Sequence, residues 1–338
     1  MTDLTRLLAR RLVVGLPSLL GAVVVVFFLV RLSGESPAPF LAGPNATKGE
    51  IDRLTTELGL DRPILQQLWI YLQNLARGDL GQSWLGSKPV LAELLERLPA
   101  TLELVLLATF LGASVGIAVG AQAAFRAGGM FDNLVQTIAT LVFSVPIYVV
   151  GLVAIFVFYY VLNVAPPPLG RLSLMVFPPA HITGSYALDS LLAGNMEALR
   201  SALAQLTLPV LCFSLIVAGP VMVQTRAIVA NVMRSEYADY AVASGLPPRM
   251  VRRIALRNSV VPIATLLGSE LSHLFAASSL IELIFAWGGI GHWGLNAILQ
   301  GDFAVVQGYV LALAAFSLLV FLLVDLFVFA FEPRSRGA

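Results

Sequence analysis

Long apolar runs alternate along the chain with polar segments, and their length matches a lipid bilayer. A hydrocarbon core about 30 Å thick takes about 20 residues of helix. Stretches 12–30, 101–124, 134–164, 206–229, 260–285 and 304–331 meet or approach that length. The third and sixth are long enough to tilt or to extend past the bilayer. Pro146 lies inside the third and predicts a kink, because proline removes a backbone donor. The pattern predicts an all-α membrane protein with about six transmembrane helices.

Residues 32–99 break the alternation. Here 50–58 and 63–75 place apolar residues at helical spacing, Asp61 can cap a helix entered through Pro63, and Gly78, Gly81 and Gly86 mark turns. This segment predicts a small helical cap on one face of the membrane. Residues 165–205, rich in proline and glycine, predict a partly ordered flap. The chain thus divides into 1–31, an N-terminal stretch with the first helix, 32–99, the cap, and 100–338, a five-helix core. In the second run Gly112, Gly116 and Gly120 recur at i, i+4, i+8. Such a strip lets another helix approach closely. Packing inside the chain is favoured over an interface with a second subunit.

Basic residues set the orientation. Arg6, Arg10, Arg11, Arg126, Arg226, Arg234, Arg249, Arg252, Arg253, Arg257, Arg334 and Arg336 fall on one side, which is read as cytoplasmic. The opposite loops carry only Arg171 and Arg200, apart from the basic residues of 32–99. Loops longer than about 60 residues largely escape the rule. Both termini are therefore expected in the cytoplasm. The basic start before 12–30 resembles a signal peptide, but the run is too long and no A-x-A-like site follows at 33–39, so a retained helix is expected.

Composition agrees with lipid as solvent: 58% of the 338 residues are hydrophobic and 12% charged, about half the usual charged share. Mean hydropathy is +0.85. A net charge of +1 gives no field that favours nucleic acid. One cysteine, Cys212, excludes an internal disulfide and a cysteine-rich metal site; its apolar run marks it as a small core residue.

Candidate chemistry is mostly excluded. No G-x-x-x-x-G-K-[ST] occurs, and the only lysines, Lys48 and Lys88, lie in the cap. One G-x-G-x-x-G, Gly289 to Gly294, follows an apolar run rather than a strand, and Asp302 comes too soon for a ribose contact. A glycine-rich turn with Trp287 and Trp293 at headgroup level is expected instead. His181, His273 and His292 are scattered, so no metal site and no catalytic constellation is expected. Glu270 and His273 share a face of the fifth run. An ionisable pair at that depth is either part of a solute path or a bundle-internal hydrogen-bonded pair. Glu103 and Glu282 lie near the outer ends of their runs, where either can face an aqueous vestibule. With Pro146, these four residues are the candidate translocation path. Asp325 is expected to fix helix packing or the adjacent loop.

The loop 231–258 is the most informative segment. A short helix from about Glu236 should stop at Gly245, which can take a left-handed cap conformation, and Pro247 and Pro248 permit a second helix from near Arg249. The product is a helix-turn-helix elbow outside the membrane, with Ala241 and Ala243 allowing close approach. A basic loop touching anionic lipid is the plainer reading. A DNA-reading helix-turn-helix is discounted because membrane spans abut both ends.

At this loop the chain resembles the permeases of ABC importers, whose hallmark is an E-A-A-x-x-x-G segment. More closely it resembles the B-type subunit of the dipeptide/oligopeptide/nickel permease family, through Tyr237, Ala241, Gly245, Leu246, Ala255-Leu256-Arg257-Asn258 and Pro262. Asp239 stands for the hallmark glutamate and Tyr240 for its first alanine, while Ala255, Arg257 and Asn258 replace the usual I-x-L-P. The likeness extends over nearly the whole chain. It includes Arg10-Arg11-Leu12, Leu58 to Pro63, Gly78 to Ser83, Glu96 to Glu103, Val306-Gln307-Gly308 and Glu332-Pro333-Arg334. Phe285 to Gly291 is similar to the family's F-x-W-P-G-L-G, with Gly288 in place of proline.

This resemblance implies a type I importer fold in a bacterial or archaeal cytoplasmic membrane. A second permease, a C-type paralogue, would face this chain. Two ATPase subunits would sit below with ATP and magnesium, this chain holding no cofactor, and a solute-binding protein would dock on the cap. Tyr237, Asp239, Ala241, Gly245, Leu246, Arg249, Arg252, Arg253, Arg257 and Asn258 would form the ATPase-coupling loop. Short peptides or related solutes would be the cargo. The alternative is a secondary transporter driven by an ion gradient, with Glu270, His273 or Asp325 as proton sites, although no internal repeat supports it. An intramembrane enzyme lacks a credible set of groups.

Overall fold

The computed structural model describes all residues except 1–2, 33–36, 44, 87 and 332–338. The motif at Glu332-Pro333-Arg334, the bases Arg334 and Arg336, and part of the 33–39 stretch lie outside them. Among the described residues the chain is helical, with one isolated bridge between Gln82 and Pro89. α1 spans Asp3–Leu32, α2 Pro37–Ala42, α3 Lys48–Glu57, α4 Ile64–Ala76, α5 Val90–Ala124, α6 Met130–Ser144 and α7 Ile147–Ala154. A π-helical turn, Ile155–Val161, continues α7. α8 spans Tyr186–Leu192, α9 Met196–Met233, α10 Glu236–Ala243, α11 Pro248–Ile284, α12 Ile290–Gln300 and α13 Phe303–Phe331.

Among the described residues five helices are long and apolar enough to cross a membrane, and the bent pair α6 with α7 passes the same test only when its two halves are taken together, as a broken span or a re-entrant loop. The kink expected at Pro146 is a 93° break, because the proline caps a new helix instead of continuing the old one. α5, α9 and α11 run past the expected spans at one or both ends. α5 crosses position 99 unbroken, so the cap and the core share one rigid helix. Within 165–205, α8 and the start of α9 supply regular structure.

α5 and α9 form the spine of the core. A Cβ on Gly112 would stand 2.5 Å from the Ser214 carbonyl oxygen, one on Gly116 2.7 Å from Val221, and one on Gly120 2.5 Å from the Met222 carbonyl oxygen. The glycine strip therefore lies against α9 of the same chain. Leu104, Val105, Ala108, Phe213, Val217 and Val221 fill that seam, and Phe275 of α11 stacks on Phe316 of α13 at 3.8 Å. α1 attaches through α13, where Arg11 pairs with Asp325. Tyr71 of α4 stacks on Phe27 at the other end of α1, which seats the cap.

Candidate coupling elbow and the locks around it

The chain between α9 and α11 turns back on itself at one end of the bundle. α10 ends at Ala243 with Ser244 as its C-cap, and Gly245 adopts φ +74°, the left-handed conformation that lets the chain reverse. Pro247 then caps α11, with Pro248 at its first position, where the missing N–H leaves no unpaired donor. Ala238, Ala241 and Val251 are buried together with Met233, Leu246 and Ile254 packed around them. Ala241, expected among the groups that meet a partner, is inside the elbow because only a small side chain fits between α10 and α11. Leu246 packs there too.

The outer surface of the elbow belongs to other residues. Tyr237 is 68% exposed and Tyr240 77%, and Val242 stands out beside them. Asp239, Arg249, Arg253, Arg257 and Asn258 are also exposed. Arg252 places its guanidinium 5.2 Å from the Phe125 ring at the end of α5, a cation–π contact between the elbow and the core. Beside the elbow, Asp132 at the start of α6 binds Arg226 of α9 through both oxygens. The Gly128 N–H and the Gln136 amide also donate to it. Sequence reasoning counted Arg226 only as a topological charge and passed over Asp132; an acid in the first turn after Gly128-Gly129 was the available signal.

At the opposite end two of the expected path residues serve as structural locks. Glu103 receives hydrogen bonds from Ser185 Oγ at 2.7 Å, the Ala187 N–H at 3.1 Å and Arg171 at 3.0 Å. Arg171 also donates to the Gly184 carbonyl at 2.7 Å and lies 3.8 Å over the Tyr186 ring. Glu103 thus pins the flap to α5 and does not face a vestibule. Glu282 is fully buried. It accepts from Thr101 Oγ1 at 2.6 Å and from the His292 N–H at 2.9 Å. The close seat of Gly289 on Thr101 and Glu282 shuts water out, so Glu282 is no vestibule group either.

The G-x-G-x-x-G segment is a packing device. Gly291 rests on the backbone of Ser279, and Gly294 faces the Tyr309 ring, where a Cβ would stand 2.4 Å away. Trp287 does not face lipid headgroups: it is buried and donates from Nε1 to the Ala100 carbonyl at 2.9 Å. Trp293 is half-buried and donates to Glu93 at 2.6 Å. Asp302 accepts from Ser83 Oγ at 2.6 Å and from the Trp84 and Leu85 N–H groups, which ties the cap to the start of α13.

Of the remaining path candidates, His273 is exposed on α11, Glu270 is half-buried one turn earlier, and Pro146 is exposed at the break. No hydrogen bond joins Glu270 to His273 among the described residues. Asp325 spends its charge on Arg11. No cluster of metal-ligating groups occurs among the described residues.

The elbow is an exposed helix-turn-helix carried at one end of an α-helical bundle. The comparison with known families decides its class: residues 112–337 match the binding-protein-dependent transport system inner membrane component, and residues 4–105 match the N-terminal part of that membrane component. The chain belongs to that family. This permease is similar to the probable D,D-dipeptide transport system permease protein DdpB of Escherichia coli strain K12, 37% identical over 94% of each chain. It is 35% identical to the di/tripeptide transport system permease protein DppB of Pseudomonas aeruginosa strain UCBPP-PA14, over 97% of this chain and 98% of the relative. The dipeptide transport system permease protein DppB of Escherichia coli strain K12 is 34% identical over 97% of each chain. The permease is thus a membrane-spanning subunit of an ABC importer, as the loop and the flanking motifs imply.

Proposed function

We propose that this permease forms one half of the translocation path of an ATP-driven importer for short peptides or closely related solutes in a bacterial cytoplasmic membrane. The observation that carries the reading is the elbow: a rigid α10 with Tyr237 and Tyr240 outermost, welded to α11 by the Ala238, Ala241 and Val251 cluster. A push on α10 reaches α11 as rigid-body motion, because the buried cluster leaves no slack. The likeness to three peptide permeases over nearly the full chain supports the choice of cargo.

The elbow faces the cytoplasm together with both termini and receives an ATPase subunit, where ATP and magnesium reside. The cap and flap face outward and receive the solute-binding protein. A C-type paralogue supplies the other half of the path and a second ATPase completes the assembly. ATP-bound closure must favour one permease state over the other, or no coupling exists. Purification of the assembly and reconstitution into vesicles tests the reading. Uptake of a labelled dipeptide should need the binding protein, both ATPases and ATP. Uptake by the isolated chain, abolished by an uncoupler, would overturn it.

A further inference from the structure

A helix against acyl chains exposes large apolar side chains, and most of this bundle does so. Leu16, Leu20, Val25 and Leu29 of α1 are exposed, as are Leu319, Leu323 and Phe327 of α13. α11 departs from this. Between Leu256 and Leu280 it exposes no large apolar side chain. Its outward positions are Asn258, Pro262, Thr265, Ser269, His273 and Ala276. They follow at i, i+4, i+7, i+11, i+15 and i+18, so they form one face. That face is about 27 Å long at about 1.5 Å per residue, close to the hydrocarbon thickness. α11 is also the least hydropathic of the five long helices.

Two groups on the face are ill suited to lipid. Pro262 has no N–H, so the Asn258 carbonyl lacks its helical donor. Freed backbone at membrane depth is tolerated where it is buried in protein or meets water, and Pro262 is exposed. His273 is exposed and presents an ionisable ring at a depth where such groups face a bundle interior or a watery cavity. Thr265 and Ser269 bond back to their own helix and would tolerate either solvent. Pro262 and His273 therefore set this face apart from a lipid-facing one.

We propose that this face of α11 is wetted along its length and forms this chain's wall of the solute path, with His273 the polar group that a zwitterionic peptide meets in transit. The proposal rests on the permease reading.

The test is thiol accessibility in the complete assembly in vesicles, built with cysteine-free partners. Cys212→Ala removes the only native thiol of this chain. Thr265→Cys, Ser269→Cys and His273→Cys are then compared with Leu319→Cys and Leu323→Cys, using a charged methanethiosulfonate. Only the thiolate reacts, so a thiol held protonated in lipid should react at least about tenfold more slowly than one in water. The α11 positions should react at least that much faster than the α13 pair in one nucleotide state or another. Equal rates throughout would place the face against lipid. Labelling in the isolated chain but silence in the assembly would make it a subunit seam; either result overturns the proposal. Dipeptide uptake in vesicles holding the Cys212→Ala parent, without any introduced cysteine, separates the two readings. Uptake without labelling sinks the α11 wall alone, whereas a complete assembly without uptake sinks the permease reading while the labelling still decides the wall.

Discussion

Arg226 of α9 grips both carboxylate oxygens of Asp132, Nε to Oδ1 at 2.9 Å and Nη2 to Oδ2 at 2.6 Å, across 94 positions of sequence. The pair fixes the start of α6 on α9 next to the elbow, and the Asp132 side chain is sealed from solvent while Arg226 keeps partial access. Removing one partner leaves a desolvated charge uncompensated. Asp132→Asn is expected to destabilise the chain by about 3 kcal/mol, the low end for a buried pair. Asp132→Asn combined with Arg226→Gln should cost less than the two singles summed. Thermal unfolding in detergent of the four proteins checks this; strictly additive costs would mean that the two side chains act independently.

The flap carries a second carboxylate whose titration gives a pH dependence. Burial opposes ionisation of Asp189, but the Thr183 hydroxyl and the N–H groups of Thr183, Ile182 and Gly184 outweigh it and hold the carboxyl below its ordinary range. A depressed carboxylate contributes stability that is complete above the unfolded pKa and is lost as pH falls through the folded value. The flap should therefore loosen on acidification below about pH 4. Amide exchange at residues 182–184, corrected for intrinsic rates, should rise in that window for the native chain. In Asp189→Asn protection should be low already at neutral pH and show little change. Glu103, Arg171 and His181 are the other charged or titratable groups facing this turn. An unaltered pH profile in the variant would assign the effect to them.

The glycine strip makes a prediction with an internal control. Gly112→Ala and Gly120→Ala each drive a methyl against a carbonyl oxygen of α9, and backbone cannot swing aside as a side-chain tip can. Each should cost about 2 kcal/mol through overpacking. Gly21→Ala in α1 meets nothing within 4 Å and should be neutral or gain about 0.5 kcal/mol from helix propensity. Unfolding midpoints of the three variants test the ordering, and equal midpoints would sink the close-approach account.

How far the sequence carried the fold depends on the range of the interactions involved. Apolar run length placed the five long helices and the bent pair α6 with α7, since bilayer thickness acts on local composition. The elbow was legible from Gly245 and Pro248 because caps are local too. The fates of Glu103 and Glu282 were not. Whether a carboxylate near a helix end meets water depends on which loop folds over it, and Arg171 lies 68 positions from Glu103 while Thr101 lies 181 from Glu282. Trp287 misled for the same reason: an indole suits a headgroup layer and a buried carbonyl equally well, and only the approach of Ala100 decides. The break at Pro146 was expected as a kink; where α7 then lies, with Gly151 beside Ile281 and Ile284 of α11, depends on contacts distant in sequence.

The elbow should separate stability from coupling. Tyr240 is among the most exposed side chains of α10 and supports nothing beneath it, so Tyr240→Ala should leave the unfolding midpoint within about 0.5 kcal/mol of the native value. A large aromatic that becomes buried against a partner commonly contributes about 2 kcal/mol to binding, on the order of thirtyfold in affinity. The same variant should therefore weaken capture of the ATPase subunit by that order and lower uptake in proportion. Gly245→Ala works the other way. The site has open space but φ +74°, so the cost is backbone strain of about 1 kcal/mol in the elbow itself. It should shift stability first and uptake only as α10 tilts, whereas Gly245→Trp adds a bulky side chain at the turn and should uncouple transport with membrane insertion intact. Measuring ATPase affinity and dipeptide uptake for all three gives the discrimination. If Tyr240→Ala binds the ATPase as tightly as the native chain, the exposed face of α10 is not the docking surface.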